Sequence, residues 1–206
     1  MSENGLSFDI IPSGDKPNII TPLGETVDEP WWDEATQPDS FISLEKATGL
    51  ITQIAEEQGK QSCFLTAQLN ALVLRGTLTA EEAGSLQSTF ATDIRFSGYW
   101  RDQAAFGRDY TSWSGKPHDT AYAITAATGK RIAMTVRLVE DAPALLRLLD
   151  EGYVVVIGDE RHSRTAFKPA GSELPYVFDP KYPEATGFYE SASLPQLQTD
   201  PHVVVI

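Results

Sequence analysis

The sequence predicts an α+β fold with helices first and an antiparallel sheet second. Two observations carry this. From Ser43 to about Leu74 apolar residues recur at helical spacing, and from Tyr153 to the end short β-branched runs alternate with turn residues. Helical and strand segments thus fall in successive blocks, which is the α+β layout.

Residues 1–40 stand apart. They hold five prolines, nine acidic residues and one lysine, a composition that resists regular structure. Phe8, Ile10, Ile11, Ile19, Ile20, Trp31 and Trp32 are nevertheless too apolar for a free tail. The expectation is an extended, partly disordered arm over 1–40, its tryptophans docked on a domain spanning 41–206.

Within that domain, SLEKATGLITQIAEEQ reads as an amphipathic helix with Ser43 as N-cap and Gly59 as its stop. The next helix runs from about Ser62 to Leu74, before Gly76. The third opens on Thr79 with Glu82 at capping-box spacing. FSGYWRDQAAFGRDYTSWSGKP reads as loop with short helical pieces, and Pro117 to Thr128 as a helix stopped by Gly129. RIAMTVRLV alternates as a strand. DAPALLRLLDEG is a short helix capped by Asp141 and ended at Gly152. The strands YVVVIGD, HSRTAFK, YVFDP, GFYES and HVVVI follow, the first buried on both faces if central.

Bulk properties narrow the function. The 206 residues, 41% hydrophobic and 22% charged, support a real core. A formal net charge of −13 repels phosphate backbones and anionic membrane surfaces, so nucleic-acid binding has no footprint. Solubility is the plain meaning of the acidity, and a basic protein partner a second one. No run of apolar residues is long enough for a membrane span. The N-terminal residues lack a basic region followed by an apolar one, so the expected location is cytoplasmic, or exported without a cleavable secretory leader. One cysteine excludes an internal disulfide framework. HExxH, CxxC, Walker and GxGxxG patterns are missing, so no metal or cofactor is expected.

The chemistry therefore centres on QGKQSCFLTAQLNAL, Gln58 to Leu72. With Ser62 as cap, Cys63 falls in the first turn of a helix, where main-chain N–H groups and the helix dipole favour a thiolate. The Gln58 side chain and the Cys63 N–H can converge as an oxyanion hole. A small core residue at a helix start is the competing reading. A thiol nucleophile needs a base, and the base an orienter. His162 begins one strand and Asp179 ends the next. A hairpin folded about Ala170 and Gly171 sets the two directly opposite, so that the carboxylate reaches Nδ1–H. A plain cross-strand His–Asp pair on a surface hairpin is the competing reading. His202 ranks second and His118 last as candidate bases. Trp100, Tyr110 and Trp113, with Tyr99 and Phe106, are candidates for a substrate cleft wall, or for core packing.

These residues resemble the papain-like cysteine peptidase superfamily. QGKQSCFLTAQLNAL is similar to the calpain nucleophile motif, with Phe64 where that motif has tryptophan. H-S-R-T-A-F…Y-V-F-D-P resembles the His-strand-turn-strand-acid element of these enzymes, with Asp as in effector-type bacterial peptidases. The resemblance covers Gln58 to Leu72 and His162 to Pro180. It implies Cys63 as nucleophile, His162 as general base and acid, Asp179 as orienter and Gln58 as oxyanion donor. The glutamine lies five residues before the cysteine rather than six, leaving Gln61 as substitute, and Arg161 rather than glycine precedes His162. The implied activity is cysteine protease action on a protein or peptide substrate, as in a secreted virulence effector. Deamidation or acyl transfer on the same triad, an inactive scaffold and an acidic adaptor are the alternatives.

Overall fold

The computed structural model describes residues 10–13, 16–20, 26–27, 32–51, 63–90, 121, 124–125, 127–139, 141–159, 162–199 and 202–206. The chain divides into two units, Met1–Trp31 and Trp32–Ile206.

In the first unit, β1 (Ile10–Ser13), β2 (Lys16–Ile20) and β3 (Thr26–Val27) form a three-stranded antiparallel meander. Pro12 pairs with Pro17 in the β1–β2 ladder. The second unit begins with β4 (Trp32–Asp33).

The second unit is α+β. Helix α1 (Leu44–Ile51) starts at Ser43, whose Oγ accepts the Lys46 N–H at 3.2 Å. Helix α2 (Cys63–Leu74) is buried along its whole length, polar Thr66, Gln68 and Asn70 included. It ends in a Schellman motif: Thr77 N–H bonds Leu72 C=O and Gly76 N–H bonds Val73 C=O, both at 3.0 Å. Gly76 supplies the positive φ that this motif needs. Helix α3 (Ala80–Phe90) carries the expected capping box. Thr79 N–H donates to Glu82 Oε2 at 2.8 Å, and Glu82 N–H to Thr79 Oγ at 3.1 Å. Residues 121, 124, 125, 127 and 128 are helical, and Gly129 follows with positive φ.

The run RIAMTVRLV is two strands, not one. β5 (Ile132–Ala133) pairs parallel with β4, while β6 (Thr135–Leu138) joins the main sheet. Met134, at the break, donates its N–H to the Asp33 carbonyl at 2.8 Å. Helix α4 (Ala142–Asp150) is capped by Asp141, whose Oδ1 accepts the Ala144 N–H at 2.8 Å. Then come β7 (Val155–Gly158), β8 (Ser163–Phe167), β9 (Tyr176–Phe178), β10 (Gly187–Phe188), a single helical turn α5 (Leu194–Leu197) and β11 (His202–Val205).

The main sheet has six strands in the order β10-β9-β8-β7-β11-β6, and every pairing is antiparallel. It is covered on both faces. Val154, Val156, Phe167, Phe178, Val204 and Ile206 pack with α2 and α3 in one core. Val155, Ile157, Ala166, Val177, Val203 and Val205 pack with Leu145, Leu148 and Leu149 of α4 and with Leu194 in the other. Central β7 is therefore apolar at every position, as a strand buried on both faces must be. Among the described residues no helix is long and apolar enough to cross a membrane.

Candidate functional site

The site forms where the β7–β8 turn delivers His162 to β8. Asp159 shapes that turn. Its Oδ1 accepts the His162 N–H at 2.9 Å, and its own N–H donates to the His162 carbonyl at 2.9 Å. An aspartate whose side chain bonds the main chain a few residues on is a standard turn-former. The imidazole therefore emerges from a braced turn.

His162 and Asp179 do meet, but not in the expected register or through the expected nitrogen. The β8–β9 ladder pairs Phe167 with Tyr176, Ala166 with Val177 and Thr165 with Phe178. One step further, Asp179 lies opposite Arg164, not His162. The Arg164 Nε–H donates to Asp179 Oδ2 at 2.9 Å. His162 reaches the acid on the diagonal, through Nε2 to Oδ1 at 2.7 Å. Diagonal cross-strand neighbours lie within reach of long and ring side chains.

The carboxylate is dense with donors. Besides the imidazole, Oδ1 accepts the N–H groups of Lys181 (3.0 Å) and Tyr182 (2.8 Å). Burial alone would raise the Asp179 pKa. The His162 hydrogen bond, the Tyr182 N–H, the charge of the imidazolium and the Lys181 N–H outweigh it and hold the carboxyl below its ordinary range. An ionised carboxylate only accepts. Nε2 therefore carries the hydrogen, and Nδ1 faces the other way.

Nδ1 is buried and has no hydrogen-bond partner among the described residues. His162 is 8% and Asp179 1% exposed, so the pair is shielded from bulk water. The Tyr182 ring meets the imidazole edge-on at 5.4 Å and is itself partly exposed. A buried imidazole with one nitrogen fixed, and the other unbonded among the described residues, has the chemistry to take up a proton at the second nitrogen.

Cys63 is 4% exposed and opens α2. That helix is anchored on β8 by Thr165, whose Oγ–H donates to the Ala67 carbonyl at 2.8 Å. Ala67 is one helical turn beyond Cys63, and Thr165 three residues beyond His162. Alternation sets Thr165 and Phe167 on the α2 face and Arg164 with Ala166 on the other.

Gln58, Gln61, Tyr99, Trp100, Phe106, Tyr110, Trp113 and His118 lie outside the described residues. The backbone of His202 opens β11 opposite Leu138. Sequence reasoning missed Arg164, Asp159 and Tyr182. The signal for Arg164 was its place two residues after His162. The signal for Asp159 was an aspartate three residues before the histidine in a tight strand-to-strand turn.

No protein-family model, no curated protein and no solved structure matches this chain.

Proposed function

We propose that the chain is a thiol hydrolase of papain-like type that cleaves a protein or peptide substrate, with Cys63 as nucleophile, His162 as general base and acid and Asp179 as orienter. The observation that carries this reading is the buried His162–Asp179 hydrogen bond, with Nδ1 unbonded among the described residues. The acid occupies the nitrogen that fixes the ring, and the remaining nitrogen is the one a thiol needs. In this reading Cys63 sits in the first turn of α2, where main-chain N–H groups and the helix dipole stabilise a thiolate. The reading requires the Cys63 end of α2 to lie beside the start of β8, so that sulfur meets Nδ1 past the end of the sheet.

The chemistry then runs in two halves. The Cys63 thiolate attacks the acyl carbon while Nδ1–H of the imidazolium stands ready. The oxyanion is held by the Cys63 N–H and the Gln58 amide. His162 gives its proton to the leaving amine, and a thioester remains. Water, deprotonated by His162, hydrolyses the thioester and restores the thiolate–imidazolium pair. Asp179 stays ionised throughout, keeping the hydrogen on Nε2.

The test is hydrolysis of a fluorogenic peptide library and of unfolded casein by the full chain. Cleavage that Cys63→Ala abolishes and His162→Ala lowers by roughly 10²–10⁴-fold is the expected result. Ammonia release without chain cleavage would assign the same triad to deamidation.

A second reading has its own support. Arg164 on Asp179 Oδ2 makes the group a buried ion cluster, which an inactive scaffold would also keep. In that case no substrate is turned over and Cys63 shows ordinary thiol reactivity.

A further inference from the structure

We infer that Arg164 is a positioning residue: it ties the acid that orients His162 to the turn that presents it. The inference deepens the thiol-hydrolase reading and depends on it only for the catalytic consequence.

Four residues, Asp159, His162, Arg164 and Asp179, form a closed ring. Asp159 holds the main chain of His162 through Oδ1, and Asp179 holds its imidazole through Oδ1. Arg164 stands between the two carboxylates: its Nε–H is hydrogen-bonded to Asp179 Oδ2 at 2.9 Å, while Nη1 makes only a charge contact with Asp159 Oδ2 at 3.6 Å and has no hydrogen-bond partner among the described residues. His162 is thus gripped at its backbone and at its ring, and one guanidinium links both grips. The side chain of Arg164 is 14% exposed and that of Asp179 fully buried, so the contact is shielded from the screening that weakens surface pairs.

The division of labour on Asp179 is specific. Oδ2 takes Arg164, while Oδ1 takes the imidazole and two main-chain N–H groups. Without Arg164, Oδ2 would be a buried carboxylate oxygen in want of a donor. Rotation of the carboxyl could then offer Oδ2 to the imidazole or to water, and the His162 ring would lose its fixed direction. The directed Nε–H of the guanidinium on Oδ2 opposes that rotation, and a lysine ammonium, a point charge with freely turning donors, does so less well.

The charge matters as well as the geometry. Asp159 and Asp179 flank the same histidine, and the guanidinium between them offsets their repulsion.

The experiment is imidazole NMR on the full chain labelled with 15N-histidine. The His162 resonances are assigned by their disappearance in His162→Gln. In the native protein the inference expects a protonated Nε2 whose hydrogen exchanges slowly with water. In Arg164→Gln that exchange accelerates about tenfold or more, and in Arg164→Lys by an intermediate amount, with backbone amide spectra otherwise native. If Arg164→Gln does not fold, Arg164→Lys decides alone: faster exchange supports the inference. Nε2–H exchange unchanged in a folded Arg164 variant overturns it. Iodoacetamide reactivity of Cys63, read on the same native sample, separates the two claims. A thiol of ordinary reactivity removes the hydrolase reading, while the Nε2–H comparison still decides the role of Arg164.

Discussion

Asp179 faces Arg164 across the β8–β9 ladder and binds His162 on the diagonal, at 2.9 Å and 2.7 Å respectively. One carboxylate thus closes the strand ladder and orients an imidazole. Losing it affects stability and the histidine together.

Replacing Asp179 by Ala is expected to be severe. It leaves the Arg164 guanidinium without its buried partner and orphans the N–H groups of Lys181 and Tyr182. Breaking a buried charge pair from one side costs roughly 3–5 kcal/mol. Urea unfolding followed by circular dichroism should show a loss of this size. Asp179→Asn keeps the shape and an accepting oxygen and should lose less.

Stability should fall with acid in a way that Asp179 explains. Its folded pKa is depressed, so its contribution is fully present above the unfolded carboxyl value of about 3.9. As pH drops below that value the unfolded state takes up the proton first. The contribution shrinks and is gone once pH passes the lower folded pKa. Glu82, in its capping box and beside Lys130, is depressed in the same direction, with the Lys130 hydrogen bond as the main cause. Urea midpoints measured from pH 5 downward should therefore slope in the native chain. The slope should flatten in Asp179→Asn more than in Glu82→Gln, whose group is exposed and solvent-screened.

One buried hydroxyl hydrogen-bonds the sheet to α2. Thr165→Val keeps the volume and removes the hydrogen bond to the Ala67 carbonyl. The expected cost is roughly 1–3 kcal/mol in urea unfolding, because the site is buried and water cannot replace the donor. On the thiol-hydrolase reading the same variant loosens α2 on β8 and slows Cys63 alkylation. An unchanged alkylation rate would show that the anchor does not set the position of Cys63.

Gly152 should resist substitution for two reasons. Its φ is +86°, and an added Cβ would stand 3.0 Å from Pro38 Cγ. Gly152→Ala is expected to cost about 1–2 kcal/mol from the left-handed backbone, with the Pro38 contact added to it. Thermal unfolding should show a clear drop in Tm, whereas Gly171→Ala, with open space around the added Cβ, should show the backbone part alone.

The parts most legible in the sequence were those whose physics is local. The Ser43 cap, the Thr79–Glu82 box, the Asp141 cap and the glycine stops at Gly76, Gly129 and Gly152 all involve residues within a few positions of one another. Central β7 was readable because a strand covered on both faces has no polar side to place. The α+β class and the antiparallel main sheet followed from the pattern of the segments, but helices do not come first: β1 to β4 precede α1, in residues the composition marked as an extended arm.

The register of the β8–β9 hairpin was not legible, because pattern does not count turn residues. A fold about Ala170 and Gly171 puts His162 opposite Asp179. The actual turn is longer: Ser172 N–H bonds the Pro169 carbonyl, and Ser172 Oγ–H bonds that of Leu174. The ladder slips by two residues. A slip of two leaves every side chain on its face, whereas a slip of one would reverse them all. The His–Asp contact therefore survives as a diagonal, and Arg164 enters as a partner that residue-by-residue pairing did not foresee. The choice of Nε2 over Nδ1 is a matter of side-chain rotation, which no spacing encodes. The split of RIAMTVRLV has a similar cause. β4 pairs with its first half, so a single alternating run serves two sheets.

The measurement that bears most directly on the central claim is the rate of Cys63 alkylation by iodoacetamide against pH, in the native chain and in His162→Ala. The sequence contains a single cysteine, so the signal has one source. The account predicts fast alkylation near pH 6, well below the ordinary thiol pKa of about 8.5, and its loss by about tenfold or more in His162→Ala. Slow alkylation with the ordinary pH dependence in both proteins would contradict it, leaving Cys63 as a core residue of α2 and His162–Asp179–Arg164 as a structural cluster.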